Sequence, residues 1–183
     1  MMRTTLLFLF GLLYSSTFSQ SHYAGQYSLG LNYGFVNDGV NYNLNIQKLI
    51  GNKFLGMRAD LDLLQQDYDL SFYGKERYDG NFESKRIGIA ATYSLEKVIP
   101  HPFYVQLYLG GLYSNEKLKD FGVAQDILPP YNRNNFGAYG GTELEFVVFP
   151  VFSLTGGFKY QNVFQSTIDK ELLFGQVGVK INF

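Results

Sequence analysis

The chain contains no cysteine and only two histidines among its 183 residues. The lack of cysteine excludes disulfide bridges, thiolate metal sites, a cysteine nucleophile and lipid attachment at a mature N-terminal cysteine. The formal net charge is −1 and no basic run occurs, so the chain has no electrostatic basis for direct binding of nucleic acid.

Charged residues make up only 17% of the chain, where about a quarter is usual. No apolar run reaches the roughly 18 residues that a transmembrane helix needs. Aromatic residues are instead abundant, with 15 Tyr and 17 Phe, and there are 20 Gly. This composition is typical of one all-β domain with many short strands.

The first nineteen residues have the pattern of a secretory signal peptide. Arg3 provides the positive charge, residues 6–14 the apolar segment, and Thr17 and Ser19 the small residues before a cleavage site at Gln20. The apolar segment is about half as long as a membrane-spanning helix, which leaves an uncleaved anchor helix as the alternative. The predicted organisation is a signal peptide over residues 1–19 and a single β-barrel domain over residues 20–183.

The end of the chain alternates strictly between apolar and polar residues. Val177, Val179, Ile181 and Phe183 alternate with Gln176, Gly178, Lys180 and Asn182. A period of two places the two sets on opposite faces of a strand. The same alternation predicts earlier strands at residues 23–35, 40–49, 54–64, 84–95, 103–113, 135–149 and 151–163.

Eight strands of about ten residues match the length that a tilted strand needs to cross a bilayer. We therefore predict an all-β fold, an eight-stranded antiparallel up-and-down transmembrane β-barrel of the bacterial outer membrane. The last strand should close the barrel against the first, and Phe183 is the expected C-terminal assembly signal. The alternative is a soluble barrel that uses its apolar face as a core.

The connections between the predicted strands alternate in size. Residues 51–53, 96–102 and 150 form short connections, whereas 65–83, 114–134 and 164–171 form long ones, and Asn37-Asp38-Gly39 is a tight hairpin. Short periplasmic turns and long outer loops place both termini in the periplasm. The aromatic residues of the two longest loops either pack the loops together, which is the preferred interpretation, or act in recognition: Tyr73, Tyr78, Phe121 and Tyr131.

Aromatic residues also fall where the strands should meet the two membrane interfaces. The predicted periplasmic girdle consists of Tyr27, Tyr93, Phe103, Phe152 and Phe183. The predicted outer girdle consists of Phe35, Tyr42, Tyr113, Phe136 and Tyr160.

The polar faces of the strands carry eight charged residues, four cations and four anions. They are Arg58, Asp60, Asp62, Arg86, Glu143, Glu145, Lys159 and Lys180. Inside a barrel they should pair, because an unpaired buried ion costs several kcal/mol, and Lys180 is expected to face Glu143 or Glu145. An eight-stranded interior has room only for side chains, so the lumen should be filled and should not form an open channel.

No residue pattern indicates catalysis. His22 lies in the N-terminal tail and His101 in a predicted turn, so neither is placed as the base of a serine lipase. Glu143 and Glu145 could form a glycosidase pair, but an interior salt-bridge network explains them better. Residues Glu116, Asp120 and Asp126 lack the spacing of a calcium loop. We expect no enzyme activity, no cofactor and no metal.

Strands five to eight resemble the TraO family of conjugal-transfer proteins from conjugative transposons of Bacteroidetes. The resemblance rests on Leu109-Gly110-Gly111-Leu112-Tyr113 followed by Glu116, on residues 137–145 (GAYGGTELE) and on residues 175–183 (GQVGVKINF). It covers mostly the second half of the chain and brings no catalytic residues.

The resemblance implies a non-enzymatic outer-membrane component of a conjugative DNA-transfer apparatus. The expected partners are outer-membrane lipid, the barrel-assembly machinery and other conjugative-transfer proteins. The alternatives are a stand-alone barrel for adhesion or envelope stability and, less compatible with a filled lumen, a narrow channel.

Overall fold

A computed structural model describes residues 25–36, 39–50, 54–72, 76–95, 102–119, 132–149, 151–166 and 170–183. These residues form eight strands: β1 (Tyr27–Val36), β2 (Gly39–Leu49), β3 (Leu55–Phe72), β4 (Glu76–Ser94), β5 (Phe103–Lys119), β6 (Asn132–Phe149), β7 (Phe152–Val163) and β8 (Glu171–Asn182). The proposed signal peptide, His22 and His101 lie outside the described residues. No helix in the described part of the chain is long and apolar enough to cross a membrane.

Each strand pairs antiparallel with its neighbours in sequence, and the sheet closes into a barrel. β8 pairs with β1 from Ser28 opposite Asn182 to Phe35 opposite Gly175, which confirms the predicted closure. Tyr27 and Phe183 lie at one end of the barrel, called here the terminal end, and the opposite end is called the distal end. The predicted eight-stranded antiparallel barrel is confirmed.

The alternation in the sequence decides which residues face inward. Asn41, Asn43 and Asn45 of β2 are buried, whereas the intervening Tyr42, Leu44 and Ile46 are exposed. The same pattern recurs around the barrel, and Leu109 is 71% exposed. The outer surface is thus apolar and the interior polar, the reverse of a soluble barrel with an apolar core.

The outward aromatic residues lie where the alternation places them. At the terminal end Tyr27 stacks on Phe183, with ring centroids 6.2 Å apart. Toward the distal end Tyr113 packs edge-on against Phe136 at 5.4 Å. All ten residues of the two predicted girdles are exposed except Phe152, which is half-buried.

The long loops predicted at 65–83 and 114–134 were drawn too long, because residues 65–72, 76–83, 114–119 and 132–134 belong to strands; residues 73–75 and 120–131 lie outside the described residues. β3 and β4 pair as far as Phe72 opposite Glu76, and β5 and β6 as far as Lys117 opposite Asn132. Their polar composition hid the strands, since a strand in water has no apolar face to reveal its alternation. Tyr73, Phe121 and Tyr131 lie outside the described residues, as does the side chain of Tyr78.

The added strand length forms a sheet that projects beyond the barrel at the distal end. β2 begins at Gly39 opposite Gln66, so residues 67–72 of β3 extend past it. Their partners are residues 76–81 of β4, and β5 pairs with β4 only as far as Lys119 opposite Asn81. We call residues 67–72 and 76–81 the distal extension. Six residues of β3 correspond to about 20 Å of strand.

Candidate functional site: the sealed polar lumen

The eight charged residues selected from the sequence all lie inside the barrel. Each side chain belongs to the inward face of its strand, and none is more than 4% exposed. They come from β3, β4, β6, β7 and β8, so only the closed barrel brings them together.

Seven of these residues form one continuous row of alternating charge, which we call the ion-pair ladder. From the terminal end, Glu145 Oε2 lies 3.1 Å from Lys180 Nζ. Lys180 also pairs with Glu143, and Glu143 Oε2 accepts a 2.7 Å hydrogen bond from Arg58 Nη1. Lys180 therefore has both of the acidic partners expected for it.

The ladder continues through Arg58 to β7. Arg58 Nη2 lies 3.0 Å from Asp60 Oδ1, and Lys159 Nζ lies 3.5 Å from the same oxygen. Lys159 then donates to Asp62 Oδ2 at 2.7 Å. The eighth residue, Arg86, is linked to Asp62 through Gln161, which accepts from Arg86 and donates to Asp62 at 3.2 Å.

Amide and tyrosine side chains make further contacts with the ladder. Asn43 Nδ2 donates to Asp60 at 2.9 Å and to Asp62 at 3.0 Å. The Tyr139 hydroxyl donates to Asp60 at 2.8 Å, and the Arg58 guanidinium lies 4.5 Å from the centre of the Tyr108 ring. Such partners offset the cost of moving the charges out of water.

Glu116 is an interior acid that the sequence analysis placed in a loop. It lies in β5, fully buried, and its carboxylate accepts hydrogen bonds from Asn135 and Ser166 at 2.9 Å and from Ser114 at 3.2 Å. The alternation of buried and exposed residues continues past Tyr113, but the outward Asn115 and Lys117 are polar, so no apolar–polar pattern in the sequence indicated that Glu116 faces inward. Asp120 and Asp126 lie outside the described residues, and the described part contains no group of acidic or histidine residues arranged for a metal.

An apolar cluster closes the distal end of the lumen, and the sequence analysis missed it. It consists of Val36, Leu64, Phe82, Leu172 and Phe174, with Leu118 packed against it. Phe82 and Phe174 are fully buried. We call this cluster the distal plug. Its residues are apolar although they face the inside of the barrel. At the distal end, therefore, inward-facing residues are not all polar.

Two interior glycines let large side chains cross the lumen. A Cβ atom on Gly141 would collide with the carbonyl oxygen of Phe158 and would lie 2.5 Å from the Tyr108 hydroxyl. A Cβ atom on Gly88 would lie 2.6 Å from the Tyr139 ring. Both tyrosines need these positions to reach the middle of the lumen.

The chemistry of the lumen is that of a filled interior whose carboxylates are held by cations or by hydrogen-bond donors. Glu143 and Glu145 both contact Lys180, and Glu145 also accepts from Ser153 at 2.7 Å and Asn182 at 2.9 Å. Carboxylates held in this way are part of the predicted salt-bridge network. Their contacts do not set them apart as an acid and a base around an open cleft.

The fold has several relatives among solved structures. OprG, an outer-membrane protein of Pseudomonas aeruginosa, aligns over 89% of this chain and 98% of its own at 9% identity, with a TM-score of 0.69. A major outer-membrane protein of Thermus thermophilus aligns over 87% and 100% at 16% identity, with a TM-score of 0.66.

A third relative is Ail, the attachment invasion locus protein of Yersinia pestis, in a crystal structure with the heparin analogue sucrose octasulfate. It aligns over 87% of this chain and 99% of its own at 15% identity, with a TM-score of 0.54. No protein-family model and no curated protein matches the chain. The likeness to solved structures therefore shows the fold, which is that of a small, eight-stranded outer-membrane β-barrel.

Proposed function

We propose that the protein is a non-enzymatic outer-membrane barrel that serves conjugative DNA transfer and makes its contacts through the distal extension. The observation that carries the membrane location is the inversion of the barrel, apolar outside and polar inside. An outward surface that includes Leu31, Ile89 and Leu109, each more than half exposed, would be costly in water.

The filled lumen supports a role that does not involve transport. The ion-pair ladder occupies the middle of the barrel and the distal plug its distal end. The surface through which the protein contacts its partners must then lie outside the lumen. The distal extension projects past the closed part of the barrel. Among the described residues, β2 does not pair with residues 67–72 of β3, and an open strand edge of this kind suits contact with another chain.

The conjugative role is supported by the resemblance of strands five to eight to the TraO family. The resembling residues include Gly141, which accommodates Tyr108, and Glu143 and Glu145, which belong to the ladder. These residues build the barrel interior, so the resemblance covers the scaffold. The part that contacts other transfer proteins is assigned to the extension.

Deletion of the gene should lower mating frequency, and expression of the intact protein should restore it. A shortened variant, with residues 67–81 replaced by an Asn-Gly turn between Gln66 and Phe82, should fold but fail to restore transfer. Unchanged transfer in the deletion strain would exclude the conjugative role and leave the barrel unaffected.

The membrane location has an independent test in gel mobility. The folded barrel should migrate differently before and after boiling and should require detergent for extraction. A protein that is soluble without detergent and shows no shift on boiling would contradict the location.

The filled lumen has a separate test: planar-bilayer recordings should show no appreciable conductance.

Adhesion is the second candidate function, and the projecting sheet is the observation that favours it. The sequence of residues 67–81 carries acidic Asp67, Asp69, Glu76 and Asp79 against basic Lys75 and Arg77. Such a segment is poorly suited to a sulfated sugar like the sucrose octasulfate in the Ail structure, because like charges repel. Loss of cell adhesion in the shortened variant, with normal mating, would favour this function.

A further inference from the structure

The outer surface of β1 to β4 contains a groove near the terminal end. It has a volume of about 240 Å³ and is lined by the outward side chains of Tyr27, Ile46, Lys48, Met57, Ala59 and Ile89. Ala59 lies between two larger neighbours, since it pairs with Ile46 of β2 on one side and with Ile89 of β4 on the other. The small side chain leaves the depression that forms the groove.

Lys48 lies at the end of this groove that is closer to the terminal end. It pairs with Tyr27 and with Met57, and its Nζ lies 4.7 Å from the centre of the Tyr27 ring. Among the described residues, Lys48 is the only exposed charged side chain toward the terminal end. The other exposed charges lie toward the distal end: Asp67, Lys85, Lys117, Arg133, Lys170 and Glu171.

We propose that this groove binds one anionic phospholipid of the membrane leaflet nearer the terminal end. An acyl chain lies over Ala59 between Ile46 and Ile89, and Lys48 contacts the phosphate. A lysine near a membrane interface extends its charged end toward the headgroups while its aliphatic part stays on the apolar surface. The Tyr27 ring beside it suits the same depth, where aromatic residues are enriched.

Charge complementarity selects the occupant. The groove is apolar along its length with one cation at its end, which matches an acyl chain that ends in a phosphate. A second protein strand would need apolar side chains along the groove and an acidic side chain placed at Lys48. The site rests on the proposed membrane location and adds a specific lipid to it.

The affinity of the purified barrel for phosphatidylglycerol can be measured by native mass spectrometry after release from detergent. Lys48→Gln should weaken binding about 5-fold, the equivalent of about 1 kcal/mol for one lysine near an anionic headgroup. Ala59→Phe should fill the groove and also remove the bound lipid. Glycerol 3-phosphate and inorganic phosphate should not displace it, because they lack the acyl chain.

Two matched controls lie elsewhere on the outer surface. Lys85→Gln removes an exposed cation toward the distal end, and Ala138→Phe enlarges an outward residue of β6; both should bind lipid as the unmodified protein does. Equal losses in groove and control variants, or displacement by inorganic phosphate, would overturn the proposal. The mobility shift on boiling reports folding of each variant, so failure of the lipid site is distinguishable from failure of the membrane location.

Discussion

Arg58 joins the two halves of the ion-pair ladder, so its removal tests whether the ladder holds the barrel together. Its guanidinium contacts Glu143 at 2.7 Å and Asp60 at 3.0 Å and is fully buried. Arg58→Met keeps much of the side-chain length and removes the charge. The ladder then changes from four carboxylates and three cations to four carboxylates and two cations.

The expected loss of stability follows from the two ion pairs that Arg58→Met removes and from the carboxylates that it leaves with fewer cationic partners. With an effective dielectric constant of about 20, each pair at a charge separation of about 4 Å contributes about 4 kcal/mol of attraction. Desolvation of the ions offsets much of this, and removal of one partner of a buried pair costs about 3–5 kcal/mol. We expect Arg58→Met to lower the free energy of unfolding by that amount.

The assay is equilibrium unfolding in urea of the barrel refolded into lipid vesicles. Circular dichroism and the heat-sensitive gel mobility report the folded fraction, since the chain has no tryptophan. The double variant Arg58→Met with Glu143→Gln leaves three carboxylates and two cations, which restores the ladder charge. It should recover about 1–2 kcal/mol, within the range of coupling between contacting residues.

The control is Lys85→Met, which removes an exposed charge and should change the free energy of unfolding by less than about 0.5 kcal/mol. A loss of less than about 1 kcal/mol for Arg58→Met would refute the reasoning. So would a double variant whose loss equals the sum of the two single losses.

Three further predictions use the same refolded protein. In urea unfolding, Gly141→Ala should cost about 1–3 kcal/mol, because its Cβ atom would meet backbone and the Tyr108 hydroxyl. The control Gly175→Ala should cost less than about 0.5 kcal/mol, because a Cβ atom there would have no neighbour within 4 Å. Equal losses of stability in the two variants would contradict this. Phe174→Ala should lower the free energy of unfolding by about 3–5 kcal/mol through a cavity in the distal plug, yet leave planar-bilayer conductance absent because the ladder still fills the lumen. Phe183→Ala should reduce the amount of barrel in the outer membrane of cells while refolding into vesicles stays nearly unchanged; a parallel loss in both would show that Phe183 acts through its stacking on Tyr27.

The sequence determined the architecture because alternation is a local property. Successive residues of a strand point to opposite faces, so the inward and outward residues from Val177 to Phe183 can be assigned without knowing which strands pair with them. The same parity placed Arg58, Glu143 and Lys180 on inward faces. Their pairing was expected from charge balance alone, since buried ions need partners.

The tertiary structure decided which of these residues meet and where the closed barrel ends. Arg58 and Glu143 are far apart in sequence, and only the registers of the intervening strands bring them within 2.7 Å. Alternation along a strand identifies the face on which a residue lies but not its position along the barrel axis. The distal plug around Phe82 and Phe174 was therefore missed. The distal extension was also missed, because strands surrounded by water are not constrained to alternate, and their pairing depends on neighbours across the sheet.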